Sequence, residues 1–279
     1  MKILITGTTG FLGRSLKEHF ESQGHDIIEY QRGSVSVGNL IHGHTPEVMI
    51  HCAGEIYEHT NMFRTNVVMM QDILENIRLR SPQTRLIQIG SSSEYGPLDR
   101  PSCELDRINP QNIYEATKGA ATLLCQGYAR QFDLDVCVAR IYSGYGAYER
   151  ERRLFPTLYR AFFRNEHMQL FDGVHDFIYI DDFVRGIDGL VHTGFVRGDI
   201  INFGSGVATT NLEVLQAWQR VTGQTAPVEY SKGQLLRAQR DADFWCCDTT
   251  YAFKQYGFQT KFTLDQGIED FIRNKNART

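Results

Sequence analysis

The sequence predicts an α/β protein: a doubly wound parallel sheet followed by a smaller, mixed C-terminal part. Three observations carry this expectation. Strand and helix signals alternate through the first half of the 279 residues, and such alternation implies parallel strands with helices on both faces. A glycine-rich turn joins the first strand directly to the first helix. Beyond residue 150 the alternation loosens into short strands and isolated helices. The expected division is therefore 1–150 and 151–279, with some exchange of segments.

The elements follow in order. Lys2-Ile3-Leu4-Ile5-Thr6 reads as a buried strand, and Gly7-Thr8-Thr9-Gly10-Phe11-Leu12-Gly13 as the turn after it. The helix continues through Arg14–Phe20, with Leu12, Leu16 and Phe20 four apart on one face. Asp26–Tyr30 is the second strand and Val48–Cys52 the third. Phe63–Leu79 is helical, with Val67, Met70, Leu74 and Ile77 on one side. Leu86–Ile89 is the fourth strand, Tyr114–Phe132 a long helix, and Val136–Ala139 the fifth strand. Further on, Leu154–Phe163 and Leu212–Thr222 read as helices, and Gln169–Phe171, Phe177–Ile180 and Ile200–Phe203 as short strands.

Composition narrows the function. Apolar residues make up 42%, enough for a full core, and the formal net charge is −4. That balance offers no general attraction to nucleic acid or to acidic membranes. No apolar run is long enough to cross a bilayer. The first strand is read from Lys2 onward, so no signal peptide is expected. Cys52, Cys103, Cys125, Cys137, Cys246 and Cys247 show neither metal-type pairing nor a disulfide framework. A reducing, cytoplasmic setting without a metal is expected.

Three segments carry chemistry. The turn Gly7–Gly13 aims backbone N–H groups and the positive end of a helix at one spot, which suits a pyrophosphate. Its spacing is Gly-x-x-Gly-x-x-Gly. Tyr114 and Lys118 stand four apart, hence on one helical face. An ammonium beside a phenol favours the phenolate, and such a tyrosine exchanges protons near neutral pH. The lysine can also bind a cofactor ribose. The same pair arises on ordinary surface helices, but here the fourth strand ends in Gly90-Ser91-Ser92-Ser93-Glu94-Tyr95-Gly96. Hydroxyl side chains at a strand's carboxyl end sit where open α/β sheets bind ligands.

With these segments the chain resembles the extended short-chain dehydrogenase/reductase family, in its nucleotide-sugar epimerase, dehydratase and ketoreductase branch. The resemblance also rests on His51-Cys52-Ala53-Gly54, Asn66, Asp176-Phe177-Ile178-Tyr179-Ile180-Asp181-Asp182 and Asn202-Phe203-Gly204-Ser205-Gly206. It implies a Rossmann-like domain, a small C-terminal substrate domain with a nucleotide-diphosphate sugar between the two, and hydride transfer at a sugar carbon. The catalytic residues it implies are Ser91, Tyr114 and Lys118. For the cofactor it implies Gly7, Thr9, Gly10, Phe11, Leu12, Gly13, Ala53, Gly54 and Asn66 alongside Tyr114 and Lys118. A homodimer paired through the helix of Tyr114 and the helix before it is expected. Met69, Met70, Leu123 and Leu124 belong to that patch or to the core.

The departures from the family pattern set the finer expectations. Dehydratases carry an acid after the catalytic hydroxyl, where this chain has Ser92 and Ser93; Glu94 falls one place late. The second strand ends Glu29-Tyr30-Gln31-Arg32. Enzymes that prefer NAD place an acid at the tip, whereas Arg32 suits a 2′-phosphate, so NADP is expected, with NAD as the alternative. His175 and Ser143 replace an arginine and an asparagine of relatives. Substrate contacts are expected from Ser92, Ser93, Ser143, Arg152, His175 and Arg240, with Arg150, Arg153 and Arg237 as further cations. The first functional reading is a 4-keto-sugar reductase. The second is an NAD-dependent C4 epimerase; behind both stand a dehydratase and a non-catalytic dinucleotide sensor.

Overall fold

The structure is a computed structural model that describes residues 1–33, 35–231 and 245–277. Arg237 and Arg240 lie outside the described residues. The chain forms two compact units. One comprises Met1–Gly96, Glu104–Ile141 and Val184–Asn202; the other comprises Pro97–Cys103, Tyr142–Phe183 and Phe203–Thr279.

The first unit is built on strands β1 (Lys2–Thr6), β2 (Asp26–Tyr30), β3 (Val48–His51), β4 (Arg85–Ser91) and β5 (Val136–Ile141), joined by β9 (Ile200–Phe203). Their order is β2-β1-β3-β4-β5-β9. β1 pairs in parallel with β2 and β3, β3 with β4, and β4 with β5. The order reverses between β1 and β3, so the carboxyl ends of these strands flank the crevice where doubly wound sheets take ligands. Ile3, Leu4, Ile5, Met49, Ile50, Leu86 and Ile87 are buried, as strands covered on both faces require.

The expected helices are present, one of them interrupted, and Val37–His44, Ile180–Thr193, Thr250–Tyr256 and Leu264–Asn276 form helices beyond the expectation. Helix α1 (Phe11–Ser22) buries Gly13, Leu16 and Phe20. Helix α2 (Val37–His44), absent from the sequence expectation, is short and contains Gly38 and Gly43, which weaken a helical signal. Tertiary packing compensates: Val37 and Ile41 are buried. A side-chain carbon at Gly38 would lie 2.5 Å from Asn76 Oδ1, so the glycine permits close approach.

The helix expected over 63–79 is instead α3 (His59–Phe63), a π-helical turn (Arg64–Val68) and α4 (Met69–Arg80). The π turn tips Asn66 inward. Helix α5 (Ile113–Phe132) lies where it is expected. Met70 belongs to the core, whereas Leu123 is 58% exposed.

The second unit holds β6 (Ser143–Tyr145), α6 (Leu154–Arg164), β7 (Met168–Phe171), β8 (Val174–Tyr179), β10 (Ala208–Thr210), α8 (Asn211–Thr222), β11 (Val228–Ser231), α9 (Thr250–Tyr256) and α10 (Leu264–Asn276). Helix α7 (Ile180–Thr193) carries the chain from one unit into the other. Ile180, expected to close a strand, opens this helix, because Asp181 and Asp182 in its first turn favour an N-terminus there. The sheets are β10-β8-β6 and β11-β7. The core is aromatic: Tyr145 stacks on Phe155 at 4.0 Å, and Phe155 meets Phe177, Trp218 and Phe271 edge-on or tilted.

The glycines of the first turn differ in what they permit. A side-chain carbon at Gly13 would lie 2.3 Å from Gly7 O, whereas one at Gly10 meets only Gly7 O, at 3.2 Å. Gly13→Ala should therefore cost about 1–3 kcal/mol by overpacking, and Gly10→Ala much less. Chemical denaturation of both variants checks the difference.

Candidate functional site

The turn after β1 has the features of an anion cradle. Gly7 has φ +73°, and a side-chain carbon there would lie 2.8 Å from Ala53 N. Gly10 N–H donates to Gly7 O at 2.9 Å. Gly10 then caps α1 in extended conformation, with no side-chain cap and no acid in the first turn. The first N–H groups of a twelve-residue helix are thus left for an outside acceptor. These residues fit the pyrophosphate of a dinucleotide. Thr9 is exposed, and Phe11 and Leu12 are half-buried beside it.

Two buried polar clasps fix the neighbouring strand ends. Thr6 Oγ1 accepts from Ala53 N at 3.1 Å and lies 2.7 Å from His51 Nδ1. Thr6 Oγ1 and His51 Nδ1 share one hydrogen bond whose donor is set by the imidazole tautomer. Burial, with the Lys118 charge nearby, lowers the His51 pKa to about 3, so the ring is neutral. The second clasp is Asn66, 3% exposed. Its Oδ1 accepts from Glu55 N at 2.8 Å, and its Nδ2 donates to Glu55 O and to Thr117 Oγ1. Thr117 Oγ1 donates to Tyr114 O at 2.9 Å. Asn66, expected as a cofactor contact, thus ties the Ala53–Glu55 loop to the first turn of α5.

At the end of β4, Ser91 Oγ lies 2.8 Å from Ser93 Oγ and accepts from Ser93 N at 3.2 Å. Ser92 is turned in and 5% exposed. Tyr114 is half-buried on α5. Lys118, one turn later, is 8% exposed, and its Nζ donates to Ile89 O at 2.5 Å. Burial lowers the Lys118 pKa, and the charge of Glu94 opposes that shift.

Glu94, which falls one place late for a dehydratase acid, takes a role that the sequence reading does not assign. It is fully buried and accepts from Ser91 N at 2.8 Å and from Thr122 Oγ1 at 2.6 Å. It also accepts from Arg140 Nε at 3.0 Å. Arg140 Nη2 is 2.8 Å from the same oxygen, close but not aligned for a second hydrogen bond. The Arg140 guanidinium lies 4.3 Å over the Tyr95 ring, and Tyr95 Oη donates to Asn202 Oδ1. Ser91 and Glu94 form a capping box around the 3-10 turn Ser92–Tyr95. The Ser-x-x-Glu spacing that signals such a box is present in the sequence.

The end of β2 presents Gln31 and Arg32, both exposed. Glu29 is occupied elsewhere: Lys17 Nζ meets its Oε1 at 2.6 Å. Lys17 and Thr8 together hold its carboxyl below the usual range.

In the second unit, Ser143 Oγ lies 3.5 Å from His175 Nδ1. Arg152 is exposed. Arg153 pairs with buried Glu149 at 3.2 Å, and burial raises the Glu149 pKa to about 7. Asp176, also buried, accepts from Ser205 N, Gly206 N and Cys247 N. Nothing in the spacing of residues announces the roles of Glu149 and Asp176. Among the described residues no cluster of His, Cys, Asp and Glu could hold a metal ion, and no helix is long and apolar enough to cross a membrane.

A parallel sheet with a glycine cradle at its switch point defines a dinucleotide-binding class of α/β protein. Residues 3–204 match the model of the NAD dependent epimerase/dehydratase family, and the chain belongs to that family. It is 28% identical to the low-salt glycan biosynthesis protein Agl12 of Haloferax volcanii, across 96% of each chain. It is 24% identical to the UDP-glucose 4-epimerase of Mycolicibacterium smegmatis, across 99% of this chain and 100% of that one. Its fold is similar to that of MoeE5, solved in complex with UDP-glucuronic acid and NAD, with a TM-score of 0.88, 23% identity and 100% of both chains covered.

The buried His51 makes stability depend on pH. Its pKa is about 3 in the fold against 6.5 ordinarily, so as pH falls the unfolded chain takes up the proton first. The contribution is complete above the unfolded value and is lost as pH falls toward the folded one, at about 1.4 kcal/mol per pH unit. Denaturant titrations of wild type and His51→Gln across this window should show a shallower acid slope in the variant.

Proposed function

We propose that the protein is a nucleotide-sugar oxidoreductase that reduces a 4-keto sugar with NADPH. The observation that carries this reading is the strand end itself: Ser91 and Ser93 present hydroxyls there, while Glu94, the nearest carboxylate, is buried against Arg140. Dehydration needs a positioned acid and base, and Glu94 is committed to Ser91 N, Thr122 and Arg140. Support for a nucleotide sugar comes from family membership and from relatives such as MoeE5, solved with UDP-glucuronic acid.

The placement of each group suggests its role. Gly7, Gly10 and Gly13, with the α1 N-terminus, hold the pyrophosphate, and the cofactor supplies the hydride when bound. Tyr114 gives its phenolic proton to the carbonyl oxygen being reduced. Ser91 Oγ donates a hydrogen bond to that oxygen, with Ser93 as its partner. Lys118 holds the ribose and keeps a positive charge beside the phenol. Arg32 meets the 2′-phosphate, since Glu29 is held by Lys17 and Thr8. Arg152, Ser143 and His175 take part in binding the diphosphate sugar. Two copies pair through α4 and α5, where Leu123 and Phe132 remain exposed.

A C4 epimerase retaining NAD is the second reading, favoured by the likeness to the UDP-glucose 4-epimerase. Incubation with a 4-keto-6-deoxy nucleotide sugar and NADPH separates the two. A reductase consumes cofactor stoichiometrically, whereas interconversion of 4-hydroxy sugars without net absorbance change near 340 nm rejects that activity. In the productive assay, Tyr114→Phe should lower turnover by ~10²-fold or more while leaving cofactor affinity intact.

The cofactor preference has its own measurement. A charge-assisted contact from Arg32 is worth about 1.5–3 kcal/mol, roughly tenfold to a hundredfold in affinity. Arg32→Ala should erase the preference for NADPH over NADH in equilibrium titration. Wild-type binding of NADH as tight as NADPH overturns the assignment.

A further inference from the structure

We infer that Glu94 is a positioning residue for the reaction: its buried carboxylate supplies the counter-charge of Lys118 and orients Ser91. The inference rests on the proposed role of Lys118 at the cofactor. Lys118 and Thr122 lie four apart on α5, and Thr122 Oγ1 donates to Glu94 Oε2 at 2.6 Å. The carboxylate is therefore held one helical turn from the lysine. Its other oxygen accepts from Ser91 N at 2.8 Å, so one side chain joins the proposed catalytic serine to the helix that carries Lys118. Gly90 makes the room: a side-chain carbon there would lie 3.0 Å from Glu94 Oε1 and 3.0 Å from Arg140 Cγ.

Lys118 needs such a partner. Its Nζ donates to the neutral Ile89 carbonyl, and a buried ammonium without a compensating charge gives up its proton. The titratable groups around it are His51 at the end of β3, Cys52 just beyond it, Tyr114 one helical turn earlier and Cys125 on α5, and Glu94 on the 3-10 turn. Burial keeps His51 neutral and pushes the Cys52 thiol up to about 12. Burial raises the Cys125 thiol as well. Glu94 is the largest influence favouring the charged form of Lys118. Arg140 pairs with Glu94 at 2.8 Å, so the two opposite charges of the pair act on Lys118 with opposite signs.

The test is titration of NADPH and NADH binding against pH, which requires no sugar substrate. Wild type, Glu94→Gln, Arg140→Met, the double variant and Lys118→Met are compared after circular dichroism shows each to be folded. Wild-type affinity should fall on an alkaline limb that Lys118→Met lacks. Glu94→Gln should move the limb to lower pH by about one unit or more, because an unpaired buried cation remains nearby. Arg140→Met should move it to higher pH, and the double variant should return it toward wild type. A merely structural Glu94 would weaken binding equally at every pH. A limb that is missing in wild type, or that stays fixed or moves in the same direction in both single variants, overturns the inference. Should Glu94→Gln not fold, Arg140→Met alone decides: a limb that stays or moves to lower pH overturns it. Failure of the proposed reaction appears separately, as absent sugar turnover with these titrations intact.

Discussion

The site depends on one buried ion pair. Glu94 and Arg140 both have fully buried side chains, and they join the end of β4 to β5 at the heart of the sheet. The pair contributes little net stability, since desolvation of two ions offsets their attraction. Its importance lies in the penalty for losing either partner: a single buried charge left behind costs about 3–5 kcal/mol. That penalty fixes the geometry around it. Ser91 N and Thr122 Oγ1 close on Glu94, and Arg140 lies over Tyr95, whose hydroxyl reaches Asn202 on β9. β4, β5, α5 and β9 are thus tied through one charge pair.

Buried side-chain acceptors recur through the fold. Where a strand or turn hands over to a loop, backbone N–H groups lose their sheet partners and need acceptors. A buried side chain supplies one each time. Thr6 accepts from Ala53 N, Asn66 from Glu55 N and Glu94 from Ser91 N. In the C-terminal unit Asp176 accepts from the amides of Ser205, Gly206 and Cys247. The loops that carry the proposed chemistry are held by buried polar anchors as well as by apolar packing. The π turn at Arg64–Val68 fits the same pattern, because it places Asn66 between a loop and α5.

Much of the fold is legible from local pattern alone. β1, the glycine turn and α1 form a continuous signal, and the periodicity of the strands and of α5 implies the parallel sheet. Ser91, Tyr114 and Lys118 stand out by their positions at a strand end and on one helical face. The sequence reading omits α2, α7, α9 and α10, and it runs the helix before β4 as one piece. α2 has two glycines among eight residues, and the π turn breaks an otherwise regular apolar repeat. Ile180 continues an apolar run, yet it opens a helix because two aspartates come after it.

The sequence by itself determined the alternation of elements, the absence of side chains at Gly7 and Gly13, and the identity of the hydroxyl, phenol and ammonium groups. These are properties of neighbouring residues, and period and residue type express them directly. Tertiary structure decided what those groups touch. Glu94 meets Arg140 across 46 residues, Thr6 meets His51 across 45, and Asn66 meets Thr117 across 51. None of these partners is marked by its neighbours in the chain. Strand register and the packing of α5 on the sheet bring them together, and burial then turns an ordinary glutamate, histidine or asparagine into a fixed anchor, because a buried polar group must find its partner or bear the full cost of desolvation.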